Sequence, residues 1–170
     1  MEILKSLEIY TIAQKVVGIS FVIIGFGLGS IAVICHYMLE TTELSNGLKI
    51  GALIGGVFIL LGGFGYQNFS AKTALKQIEI HEKSKENFLA QETIRMEKVV
   101  KEYPIYQFVF GVFIMLSIGV VLFTKKPLWH GIAFSVMLLF TLVLIVEAFS
   151  YKSISNYNSE IRTKVNDVIH

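Results

Sequence analysis

The sequence predicts an all-α integral membrane protein: four transmembrane helices forming two parallel two-span repeats, with amphipathic helices on one side. Three observations lead there. Apolar residues make up 54% of the chain and charged residues 16%, against roughly 25% charged in a soluble domain. Four unbroken apolar segments reach the roughly 20 residues a bilayer-crossing helix needs. Finally, the chain repeats itself. Tyr10-Thr-Ile12-Ala-Gln14-Lys-Val16-Val-Gly18 aligns with Tyr103-Pro-Ile105-Tyr-Gln107-Phe-Val109-Phe-Gly111, five identities in nine positions.

The spans run over about 16–37, 48–66, 105–123 and 128–149. Their apolar character is continuous, whereas strands of a membrane barrel would alternate. Each repeat, 1–83 and 84–170, contains two spans, so both enter from the same side. The exits match too: Phe69-Ser70-Ala-Lys72-Thr73 resembles Phe149-Ser150-Tyr-Lys152-Ser153. The offset between copies is 93 residues at the entries and 80 at the exits. That difference is expected in the connecting turns, long at Leu39–Lys49 and short at Thr124–His130.

Twelve of the fifteen lysines and arginines fall in the N-terminus, the 70–103 connection and the tail. By the positive-inside rule, both termini and the connection face the cytoplasm of an inner membrane. The residues before Val16 are mixed in charge and no small-x-small site follows the first span, so a cleaved signal peptide is not expected. A net charge of +2 implies no nucleic-acid partner, and the lone Cys35 cannot close an intramolecular disulfide.

The connection 70–103 is rich in helix formers and has no Gly or Pro before Tyr103. Its densest charge, His81 to Glu86, marks a turn or solvated face. Leu89, Met96, Val100 and Tyr103 then recur at helical spacing, as do Ile154, Tyr157, Ile161, Val165 and Val168 in the tail. Ile3, Leu7 and Tyr10 do the same at the N-terminus. These stripes predict a cytoplasmic helical layer. Leu89, Met96, Val100, Tyr157, Ile161 and Val165 are candidates for docking a cytoplasmic protein, with packing inside the chain as the default.

Eleven of fourteen glycines precede Ser70. Gly25/Gly29 and Gly51/Gly55 have the spacing that lets helix backbones approach closely in lipid, either within one subunit or between copies. The third and fourth spans carry Phe108, Phe110, Phe113, Phe134 and Phe140 instead.

Four residues are candidates for intramembrane polar chemistry. Glu147 is the acidic residue inside a span, and such a carboxylate is a functional candidate by default. The repeat pairs it with Gln67, and pairs Gln14 with Gln107 one turn after Tyr10 and Tyr103. The two glutamines and two tyrosines would form a polar collar. A structural partner for Glu147, such as Lys72 or Lys152, is the plainer expectation. His36, His81, His130 and His170 form no metal-ligand spacing, and no catalytic motif occurs, so neither enzyme activity nor a metal or cofactor is expected. Glu92-x-x-Arg95-Met96-x-x-Val99 and the Phe149-Ser150 exit resemble small bacterial four-span proteins, which implies no activity.

The functional expectation is a non-enzymatic protein that self-associates in the bilayer as a homo-oligomer, of pore or channel type. Four spans with so little polarity enclose no hydrophilic path alone. The alternatives are an accessory or immunity-type protein acting through its cytoplasmic helices, and a proton-coupled carrier using Glu147.

Overall fold

A computed structural model describes residues 2–169, with side-chain placement for 3–167; His170 and the side chain of Val168 lie outside. Four helices make up the chain: α1 (Glu2–Tyr37), α2 (Glu43–Lys83), α3 (Lys85–Phe123) and α4 (Pro127–Ile169). All four are long and apolar enough to cross a membrane, and no strand occurs among the described residues. Both termini and the α2–α3 turn lie at one end of the bundle, here termed basal. The other two turns lie at the distal end.

The helices run well past the apolar segments. The amphipathic pieces expected at the N-terminus, the connection and the tail are continuous with the spans. On α1 a single stripe at three- and four-residue spacing explains this: Ile3, Leu7, Tyr10, Gln14, Val17, Phe21, Leu28, Ala32 and Cys35 are all buried. The buried face does not shift where apolar sequence gives way to amphipathic, so nothing interrupts the helix. Pro104 lies inside α3, where its ring removes one backbone donor without ending the helix.

The connections are shorter than expected. Thr42 caps α2 by accepting from the Ser45 amide at 3.1 Å, so the first turn covers only 38–42. Pro127 opens α4 at a position where a missing N–H costs nothing, so the second turn covers 124–126. The unequal repeat offsets therefore reside only in small part in the turns. Twenty-seven residues separate Tyr10 from the end of α1 at Tyr37, and 20 separate Tyr103 from Phe123. Twenty-six run from Glu43 to Phe69 and 22 from Pro127 to Phe149. The first hairpin is longer mainly because its helices are longer. Ser84 alone joins α2 to α3, in the middle of the charged run, and its side chain accepts from the Asn87 amide at 3.2 Å.

α1 packs most extensively on α2, through glycines seven residues apart on both helices. A Cβ on Gly63 would lie 2.8 Å from the Gly18 carbonyl oxygen, and one on Gly56 3.0 Å from that of Gly25. α3 and α4 use rings instead, with Phe140 stacked on Phe113 at 4.7 Å and on Phe110 at 5.6 Å. At the distal end α2 crosses α4 through Gly47 and Gly51 against Gly131 and Ser135, with Ser135 Oγ donating to the Leu48 carbonyl at 3.0 Å. At the basal end α4 leans on α1. α2 and α3 touch little, and they meet near their shared turn, where His81 packs edge-on to Phe88.

Candidate functional site

The basal layer has its own core: Ile3, Leu7, Tyr10, Phe88, Leu89, Met96, Tyr103, Ile154, Tyr157 and Ile161. A charged group lies within it. Glu92 occupies the α3 stripe between Leu89 and Met96 and is fully buried, at 0% exposure. Burying a carboxylate is costly unless it is paired and hydrogen-bonded, and Glu92 is both. Arg95, one turn along α3, donates to it through Nε at 2.7 Å and Nη2 at 2.5 Å. Tyr157 of α4 donates its hydroxyl at 2.8 Å. Arg95 then lies over the Tyr10 ring at 5.4 Å, and Tyr10 stacks on Tyr157 at 4.8 Å. One carboxylate thereby ties α1, α3 and α4 together.

Between this layer and the bundle core is a cavity of about 430 Å³ to which all four helices contribute. It exists because α2 and α3 diverge above their turn. α1 supplies Tyr10, Thr11 and Gln14; α2 supplies Tyr66, Phe69, Ser70, Thr73 and Ala74; α3 supplies Arg95, Lys98, Val99, Glu102, Tyr103 and Tyr106; α4 supplies Glu147 and Ile154. Toward the distal side, Val17, Phe21 and Val143 form a second buried cluster, with Ile24, Ile59, Phe110 and Leu139 around it. The cavity is blind in that direction.

Its polar groups are held in place. Gln14 is 3% exposed; its Nε2 reaches Ser150 Oγ at 3.4 Å, and its Oε1 accepts from the Tyr66 hydroxyl. Tyr103 donates its hydroxyl to the backbone carbonyl of Glu147 and packs against Tyr151 at 4.9 Å. The Glu147 side chain is half-buried in the lining. No basic side chain forms an ion pair with it among the described residues, and neither Lys72 nor Lys152 caps it.

No protein-family model, curated protein or solved structure matches this chain. The site is therefore read from its own geometry.

Of the polar residues singled out from the sequence, Gln14 and Glu147 share the cavity. Gln67 does not join them: its Cγ lies where a Gly18 Cβ would be, within 2.5 Å, so it belongs to the α1–α2 seam. Tyr66, one position earlier, takes the place expected of Gln67. Gln107 is half-buried and does not line the cavity, but its side chain hydrogen-bonds Tyr103, which does. Gly25 and Gly51 lie in helix seams. Gly55 makes only looser contact, with Leu139 at 3.2 Å, and a side chain on Gly29 would meet open space. Among the docking candidates, Leu89, Met96, Tyr157 and Ile161 are buried in the basal core, and Val100 and Val165 pack against it. Their apolar faces are used up within the chain.

Glu92 and Arg95 carry a resemblance in the sequence but were not expected to form a buried pair, although a signal was present. It falls on the same stripe as Leu89 and Met96, and Arg95 follows at i,i+3, a spacing that lets side chains pair on a helix. A charge on an apolar stripe with its partner one turn away identifies a buried pair.

Proposed function

We propose that this chain is a non-enzymatic, multi-pass protein of the inner membrane. Its basal end faces the cytoplasm, and it works by admitting a small molecule into the basal cavity. The observation that carries the reading is the cavity itself, which is built by all four helices, lined by ordered polar groups and closed distally. Its volume falls in the range of small-molecule sites, roughly 300–1,000 Å³.

Membrane insertion is supported by large apolar side chains turned outward on every helix, including Phe26, Leu61, Phe108 (72% exposed) and Leu138. A soluble monomer rarely leaves so much apolar surface open. The lysine and arginine distribution supports the orientation. The parallel repeat supplies the scaffold in this reading, and Glu147, where the first unit has Gln67, is a departure on which specificity was built. Tyr10 and Arg95 belong to both the cavity and the Glu92 network. Occupancy would therefore be felt in the basal helices, as suits an accessory protein that reports a ligand to the cytoplasm.

The reading is tested in nanodiscs with three probes: neutral N-phenyl-1-naphthylamine, cationic tetraphenylphosphonium and anionic tetraphenylborate. At least one should bind saturably at one per chain after subtraction of empty discs. Ala74→Trp, which places an indole in the cavity, should weaken that binding at least tenfold while the protein still elutes as a single species. Absence of saturable binding by all three contradicts the reading.

Self-association is a second reading. It is favoured by Gly27, Gly29, Gly62 and Gly65, where an added side chain would meet open space, so a second copy has room to approach. The other motives for a pore weaken, because Glu147 and the closely packed glycines face inward within one chain. Copy number per nanodisc, counted by single-molecule photobleaching at dilute reconstitution, decides it. Two or more copies per disc are expected on this reading, and single copies throughout would end it.

A further inference from the structure

The charges lining the cavity are not paired with one another one for one, because Arg95 is held by Glu92 outside the lining, and the group left over selects a ligand. Four charged side chains line it: Arg95, Lys98, Glu102 and Glu147. Both cations are already committed to acids on their own helix. Arg95 grips the buried Glu92 through two nitrogens at 2.7 and 2.5 Å, and Lys98 Nζ lies 3.8 Å from Glu102 at i,i+4. Glu147 forms no ion pair among the described residues; its side chain meets the neutral Tyr103 hydroxyl instead. The cavity therefore presents one uncompensated carboxylate, at the inner edge of the apolar segment of α4.

Aromatic rings surround that carboxylate. Tyr10, Tyr66, Phe69, Tyr103 and Tyr106 all line the cavity. The Tyr66 and Tyr103 hydroxyl protons are donated to Gln14 and to the Glu147 carbonyl, so neither is left to donate to an occupant. Phe69 and Tyr106, at 68% and 55% exposure, stand at the open side. Ring faces attract cations through their quadrupole, more strongly where water is excluded, and Arg95 over Tyr10 already shows this contact inside the same cavity. An anion would find Arg95 already bound to Glu92, Lys98 beside Glu102 and the Glu147 carboxylate opposing it.

We infer that the cavity selects amphiphilic organic cations: a quaternary ammonium, phosphonium or protonated amine carrying apolar groups, with its charge beside Glu147 and its apolar part against the tyrosine and phenylalanine rings. This inference rests on the cavity being a binding site, as proposed above, and names what enters it.

Tetraphenylphosphonium and tetraphenylborate have nearly the same size and shape and opposite charge, so the pair isolates the electrostatic contribution. Full-length protein in nanodiscs of zwitterionic lipid should bind the phosphonium at one per chain, at least tenfold more tightly than the borate. Glu147→Gln, which keeps the shape and removes the charge, should cost at least tenfold in phosphonium affinity. Glu79→Gln, at an exposed position paired with Lys83 outside the cavity, should leave it unchanged. Borate binding as tight as or tighter than phosphonium, sensitive to Ala74→Trp, would overturn the cation inference and leave the cavity reading standing. Phosphonium binding unaffected by Glu147→Gln would also overturn it. Saturable binding of none of the three probes would overturn both readings.

Discussion

Glu92→Ala is expected to lower stability by about 3–5 kcal/mol, the cost of removing one partner from a buried ion pair. The reason is geometric. Glu92 is fully buried and accepts from Arg95 and Tyr157. Its loss leaves a largely buried guanidinium without a counter-charge and a tyrosine hydroxyl without an acceptor. Because the carboxylate joins α3 to α4, and through Arg95 and Tyr10 to α1, the damage is not confined to one helix. Thermal unfolding in nanodiscs gives the size of the loss, and hydrogen exchange should place the early opening at 88–103 and 154–165. Replacing the whole network, Glu92→Met with Arg95→Leu and Tyr157→Phe, should recover most of the stability, since well-packed apolar side chains often match a buried pair and no hydroxyl is then left without an acceptor. An alanine variant as stable as the parent would mean the pair contributes nothing.

Gly131→Ala is expected to have the second large effect. A Cβ at Gly131 would collide with the Leu44 carbonyl oxygen and the Leu48 amide nitrogen, and at Gly47 with the Leu128 carbonyl. These are backbone atoms of the facing helix, so no rotamer change relieves the clash and α2 and α4 must separate. Overpacking of this kind costs about 1–3 kcal/mol or more, and separation also breaks the Ser135-to-Leu48 hydrogen bond. Gly119→Ala is the matched control, because its Cβ would meet open space and alanine favours helix by about 1 kcal/mol. A Gly131→Ala protein that melts with or above the parent would contradict this account of the crossing.

These two positions also show how much was legible in the sequence. Helix number and the basal apolar stripes were readable because each depends on local periodicity, and α1 carries one stripe from Ile3 to Cys35. Element limits were less so. Thr42 is an N-cap residue type, yet the turn was expected to continue to Lys49, across the polar Glu43, Ser45 and Asn46. The glycine seams were half legible. Gly25 and Gly51 are close-packed, but their partners, Gly56 on α2 and Ser135 on α4, depend on which helices cross and where. The cavity was the least legible feature. It results from the divergence of α2 and α3 above a one-residue turn, a tertiary property with no local signature. The one-residue displacement of Tyr66 for Gln67 reflects the rotation of α2 imposed by its seam with α1.

The central claim is that the four helices enclose a binding site at the basal end. It is tested most directly by saturable probe binding to the parent protein and to Ala74→Trp in matched nanodiscs. The account predicts one probe molecule per chain on the parent, with binding at least tenfold weaker once the indole occupies the cavity. Binding equal in the two proteins, or no saturable binding in either, would contradict it.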